Sequence, residues 1–183
     1  MKRIALAFAL LTAFSVQAAE YTQVQPEKSA INFTYKQMGV AVDGKFKKFS
    51  SQLSFDPAKP AAARASFDVD LASVDTGAPE GDDEVAGKSW FNTKAFPSAH
   101  FVSTSVKPLA GNKVEVAGQL SIKGKTQEVV VPATVTAQGN TAVFDGSFTI
   151  RRADFSIGEG SWAKFDVVAN DVLIKFRITA NSK

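Results

Sequence analysis

From Ala30 onward, apolar and polar residues alternate with a period of two, the pattern of strands that bury one face. Ile31, Phe33 and Tyr35 alternate with Asn32, Thr34 and Lys36, and Phe67, Val69 and Leu71 alternate with Ser66, Asp68 and Asp70. Val114, Val116, Gly118, Leu120 and Ile122 share one strand face, and Ala142, Phe144, Gly146, Phe148 and Ile150 another. Val172, Ile174, Phe176 and Ile178 close the chain in the same way. With the apolar stretches 42–55, 99–106 and 128–137, about eight strands are predicted, which suits a closed or nearly closed antiparallel barrel or a sandwich. Turn signals at Asp56-Pro57, Ala110-Gly111-Asn112, Lys123-Gly124-Lys125 and Gln138-Gly139-Asn140 keep the connections short enough for a meander.

One long segment, Asp75 to Pro97, breaks the meander. Its acidic run Glu80-Gly81-Asp82-Asp83-Glu84 suits the first turn of a short helix, where negative side chains face the positive end of the helix dipole. The segment ends in Trp90, Phe91 and Phe96, three aromatics that need burial and find it most readily at the mouth or flank of a barrel, as a lid or plug. A second irregular stretch, Ile157 to Phe165, carries Gly158, Gly160 and Trp162.

The 183-residue chain contains no cysteine. Its first residues have the form of a secretory leader: Lys2 and Arg3, an apolar run from Ile4 to Phe14, then Val16-Gln17-Ala18 as a small-residue cleavage site. The apolar run is too short to span a bilayer, which takes roughly 20 residues. The expected mature chain is one exported domain over residues 19–183. Taking Lys2 and Arg3 from 21 basic residues leaves 19 against 18 acidic ones, so part of the basic pI belongs to the leader. Only Lys45, Lys47 and Lys48 cluster, which fits a solvated edge and gives no phosphate-binding surface for nucleic acid.

Catalytic and metal chemistry is sparse. His100 is the single histidine, which argues against zinc or copper centres and leaves a Ser-His-Asp hydrolase without a nucleophile elbow. The Glu80 to Glu84 run lacks the spacing of a calcium loop, and Gly158-Glu159-Gly160 is too sparse for a dinucleotide fingerprint. No cofactor is expected. Aromatic surface, in contrast, is plentiful: of 15 phenylalanines, Phe8 and Phe14 lie in the leader, and the other 13 are joined by two tyrosines and two tryptophans. An eight-stranded barrel is near the size at which its interior is either packed solid or open to one small ligand. Composition alone leaves both open.

Motifs in order along the chain add a family resemblance. These are Ile31-Asn32-Phe33, Gln37-Met38-Gly39-Val40, Gly44-Lys45-Phe46-Lys47-Lys48-Phe49, Phe55-Asp56-Pro57 and Ala72-Ser73-Val74-Asp75-Thr76-Gly77. Then come Trp90-Phe91-Asn92-Thr93-Lys94-Ala95-Phe96-Pro97 with Phe101-Val102-Ser103-Thr104, Gly118 to Thr126, and Arg152-Ala153-Asp154-Phe155-Ser156-Ile157. Over nearly all of its mature length the chain resembles the YceI-like family of periplasmic, lipocalin-like proteins that bind polyisoprenoid lipids. The resemblance implies an eight-stranded antiparallel barrel whose lumen holds a long isoprenoid or similar amphiphile, with a helix and loops around its mouth. It departs from many members at Gln37, where they have histidine, in a turn to Gly44 one residue shorter, and at Gly81-Asp82-Asp83-Glu84-Val85, where they have Arg-Asp followed by His-Leu. Both regions are where a lipid head group would be contacted.

On this basis the expected function is to bind, carry or store a polyisoprenoid or quinone-like lipid. Phe33, Tyr35, Met38, Phe46, Phe67, Val69, Trp90, Phe91, Phe101, Phe144, Phe148 and Phe176 are the expected lining. Lys36, Gln37, Arg152 and Asp154 are the head-group candidates, the last two placed two apart on one strand face and equally able to form a structural ion pair. An inward Arg152 would favour phosphate, whereas an amide or hydroxyl would favour a quinone or neutral lipid. The competing reading is a solidly packed barrel that docks a membrane redox or stress-related partner. An enzyme using Asp154 or Tyr35 as acid or base ranks last. The resemblance also admits a homodimer.

Overall fold

The computed structural model of the protein describes residues 20–183, so the predicted leader, residues 1–18, lies outside the described residues. The strands are β1 (Tyr21–Val24), β2 (Ala30–Gln37), β3 (Val40–Phe46), β4 (Phe49–Ser54), β5 (Arg64–Asp70) and β6 (Val74–Asp75), followed by helix α1 (Pro79–Ala86). Then come β7 (Ser98–Leu109), β8 (Lys113–Ile122), β9 (Lys125–Gln138), β10 (Thr141–Arg151) and β11 (Asp171–Ser182). They form one antiparallel sheet in the order β4-β5-β7-β8-β9-β10-β11-β2-β3-β6, with β1 added to β11.

The fold is the expected all-β, lipocalin-like barrel, but the predicted eight strands are eleven here for local reasons. β1 and β6 have four and two residues, too few to show alternation. The stretch 42–55 reads as one strand in sequence and bends into two: β3 pairs with β2, and β4 pairs with β5. Buried Ser73 holds the bend. Its carbonyl accepts from Lys47 N–H at 3.0 Å, and its hydroxyl accepts from Lys48 N–H at 3.0 Å while donating to the Asp70 carbonyl at 2.7 Å. Because β3 and β4 are arms of one bent strand, the sheet path returns on itself around a lumen.

The far end is closed by β1. Tyr21 and Phe55 exchange backbone hydrogen bonds of 2.9 and 3.1 Å, the Tyr21 hydroxyl donates to the Gly139 carbonyl, and the Phe55 ring packs edge-on against Phe144 at 5.1 Å. The wall is less regular between β9 and β10. They pair only from Ala133 to Gln138 against Thr141 to Gly146, and beyond that point Val129 and Phe148 both pack against one core cluster.

The buried side chains form two clusters, one at each end of the lumen, and Phe46, Val69 and Ile174 pack against both. α1 begins with Pro79, whose missing N–H costs nothing at a helix start, and carries Glu80 and Asp82 in its first turn. The chain then folds back on it, with Phe91 N–H and Thr93 N–H donating to the Val85 and Ala86 carbonyls. This places the aromatic insertion against the open end of the barrel.

Candidate functional site

The lumen is a cavity of about 480 Å³, so the barrel is not packed solid. Strand alternation explains its lining, because every second residue of each strand points inward. Phe33 and Tyr35 come from β2, Phe46 from β3, Phe67 and Val69 from β5, Phe101 from β7, Phe144 and Phe148 from β10, and Phe176 from β11. Trp90 and Phe91 come from the insertion after α1. Phe96 does not share this position, since it packs on the Gly124 turn between β8 and β9.

Met38 is a correction. It was expected in the lining as a flexible gap filler, yet it is 77% exposed in the β2–β3 turn. Met38 and Gly39 both take positive φ, 50° and 83°, between the paired Gln37 and Val40. This two-residue hairpin geometry matches the twist of its strands and swings the side chain away from the barrel.

The head-group candidates separate in a similar way. Gln37 stands exposed at the mouth and faces the cavity. Lys36 is exposed and off the lining; its carbonyl accepts from Ala169 N–H. Arg152 and Asp154 do not lie on one strand face, because residues 152–155 form a 3-10 turn after β10. Asp154 pairs with Arg151 at 2.9 Å, and Arg152 makes its hydrogen bonds to backbone carbonyls.

Arg152 touches the cavity but is 2% exposed, and its donors are already committed. Nε donates to the Ala169 carbonyl, Nη1 to those of Ile157 and Gly158, and Nη2 to those of Trp162, Lys164 and Val168, all at 2.7–3.2 Å. A guanidinium has five N–H donors, so none is left over. Its plane also approaches the Trp90 and Phe165 rings, at 5.3 and 5.0 Å. Burial pushes its pKa down, yet a guanidinium remains charged at physiological pH. Arg152 is thus the hub that folds the 157–169 loop over the barrel end. Gly158 fits beside it with φ of 79°, because a β-carbon there would overlap Nη1.

The mouth also holds residues outside the head-group candidates, two of them, Gly81 and Glu84, in the segment where the chain departs from many relatives. Thr76, Glu80, Gly81 and Glu84 line it beside Tyr35 and Gln37. Glu80 and Glu84 are four apart on α1 and so share a helix face, a spacing legible in the sequence. Glu84 accepts from Trp90 Nε1 at 3.2 Å, and Trp90 stacks at a tilt on Trp162, 5.4 Å away. Phe55 and Trp162 also line the cavity, beyond the lining the sequence predicts; Phe55 continues the alternation of Leu53. Burial raises the Tyr35 phenol pKa. At the far end Arg64 borders the cavity, with Nη1 donating to the Ala62 and Ala63 carbonyls.

Other candidate chemistry lies outside the lumen. His100 pairs with Asp68 on the exposed outer face of β5 and β7, and Lys45 and Lys47 both face Asp75, at 3.8 and 3.6 Å. Among the described residues, no group of three or more His, Asp or Glu side chains is placed to hold a metal ion.

Known proteins share this architecture. The profile of the YceI-like domain matches residues 22–180. A UPF0312 protein of Pseudomonas fluorescens is 35% identical over 165 residues, covering 83% of each chain. The crystal structure of Burkholderia cenocepacia BcnA superposes with a TM-score of 0.85 at 46% identity, over 87% of this chain and all of that one. A polyisoprenoid binding domain from Saccharophagus degradans, implicated in plant cell wall breakdown, superposes with a TM-score of 0.69 at 18% identity, over 91% of this chain and 100% of that domain. This last likeness is one of fold.

Proposed function

The chain belongs to the YceI-like family, and from that premise we propose that it binds a polyisoprenoid or similar long-chain amphiphile in its lumen, as a carrier or store. A prenylated quinone is one such ligand. The observation that carries the proposal is the apolar cavity of about 480 Å³, within the size range of small-molecule sites. Each methylene moved from water into such a lumen contributes about 0.8 kcal/mol, so a chain of several isoprene units binds through apolar area with few polar contacts. The polyisoprenoid-binding domain of Saccharophagus degradans, with the same fold, supports the choice of ligand class. The leader-like segment of residues 1–18 supports a periplasmic setting.

A carrier requires no reacting group. Asp154, the acid or base that an enzyme reading would use, is paired with Arg151 and does not line the lumen. The rival reading of a packed docking barrel has no support in a lumen with this much free volume. The test is an intact mass of the periplasmically expressed protein under non-denaturing conditions, followed by solvent extraction. The expected result is an added mass that leaves on extraction and fragments as a prenylated molecule. An apo mass, with no uptake of added geranylgeraniol and no rise in Tm, refutes lipid binding.

A further inference from the structure

The polar groups around the lumen have a charge arrangement that bears on its ligand. Of the cationic side chains that border the cavity, Arg152 has every donor engaged by backbone carbonyls, and Arg64 stands at the far end. The mouth presents the carboxylates of Glu80 and Glu84 beside the hydroxyl of Tyr35 and the amide of Gln37. The α1 N-terminus also opens here, but Glu80 and Asp82 already answer its positive dipole. Asp82 is held as a carboxylate by the Thr76 N–H at 2.7 Å and the Thr76 hydroxyl at 2.8 Å.

We infer that the mouth selects amphiphiles with an uncharged head group and rejects the phosphorylated form of the same chain. This rests on the lipid-binding reading above and adds the head-group class to it. A phosphate seated at the mouth would lose part of its hydration and meet two carboxylates, and among the described residues that line the cavity no unengaged cation stands at the mouth to offset them. A hydroxyl loses little, because Glu80, Glu84 and Gln37 all offer acceptors and Tyr35 and Gln37 offer donors.

The test compares geranylgeraniol with geranylgeranyl monophosphate, which share one apolar chain, by displacement of a fluorescent apolar dye from the purified mature protein at neutral pH. The expected result is an affinity for the alcohol at least about tenfold above that for the phosphate at low salt, with the ratio shrinking as ionic strength rises. Glu80→Gln and Glu80→Lys should narrow the ratio in that order, and Glu84→Gln provides a second route to the same change. Equal affinities, or tighter binding of the phosphate, overturn the inference and leave lipid binding intact. If neither compound displaces the dye and neither raises Tm, the lipid-binding reading fails and the inference falls with it.

Discussion

The Phe33 ring lies over the backbone of Gly44, its directly paired neighbour across the β2–β3 ladder, in the space a β-carbon would need. Phe176 takes the same position over its paired Gly146, and Phe101 covers Gly118 on β8. These glycines let large rings lie along the wall of the lumen and leave its centre open. Gly44→Ala should push the Phe33 ring into the cavity and cost about 1–3 kcal/mol, the usual range for overpacking. Urea denaturation measures it; a loss under about 0.5 kcal/mol would mean that the wall relaxes freely.

Arg152 is the substitution expected to cost most. Arg152→Met leaves six backbone carbonyls without their donors, and removing one side of such a buried charged network costs roughly 3–5 kcal/mol. Arg152→Lys restores the charge but only three of the five donors, so it should recover a minority of the loss. Hydrogen exchange across residues 157–169 should rise in both variants. Unchanged protection there would show that another element holds the loop.

Val116 of β8 lines the lumen, packed against one of its two end clusters. Val116→Trp should retain the fold while occupying the space of the ligand. Displacing about two methylenes' worth of lipid lowers affinity roughly tenfold. Dye displacement by geranylgeraniol checks this, with circular dichroism confirming the barrel.

Acid should loosen the mouth before the barrel. Hydrogen bonds from the Thr76 N–H and hydroxyl hold the Asp82 carboxyl below its ordinary range. A carboxyl lowered in the folded state contributes stability that is present above the unfolded pKa, near 4, and is lost as pH falls through the folded value. Tm should therefore fall with acidification below about pH 4, and Asp82→Ala should flatten that fall in part. Asp43, lowered by Thr34 and Lys175, keeps some acid dependence in the variant. An identical acid limb in Asp82→Ala would remove the link to Thr76.

Trp90 reports on the lumen because its indole lines the cavity while Nε1 donates to Glu84. Filling the cavity with geranylgeraniol should shift its emission to the blue, and Trp162→Phe should leave that shift in place. A shift that vanishes in Trp162→Phe would assign it to the outer ring of the pair.

Within its regular strands, the sequence by itself determined which side chains face inward. Its period-two alternation assigns Phe33, Val69, Phe144 and Phe176 to one side of their strands whatever the strands pair with, because successive side chains of a strand must point to opposite faces. It also determined the place of α1, through the acidic run that starts at Glu80. Tertiary structure decided the rest. Whether the rings fill the barrel or lie along its wall depends on their pairing with glycines of neighbouring strands, and the register of those pairs is set by long-range closure of the sheet. Strand alternation puts Arg152 with Asp154 on one face, as a ligand contact or a structural ion pair, and the structure makes it neither. Its partners are carbonyls from residues 157–169, which approach it only when that loop folds back over the barrel end.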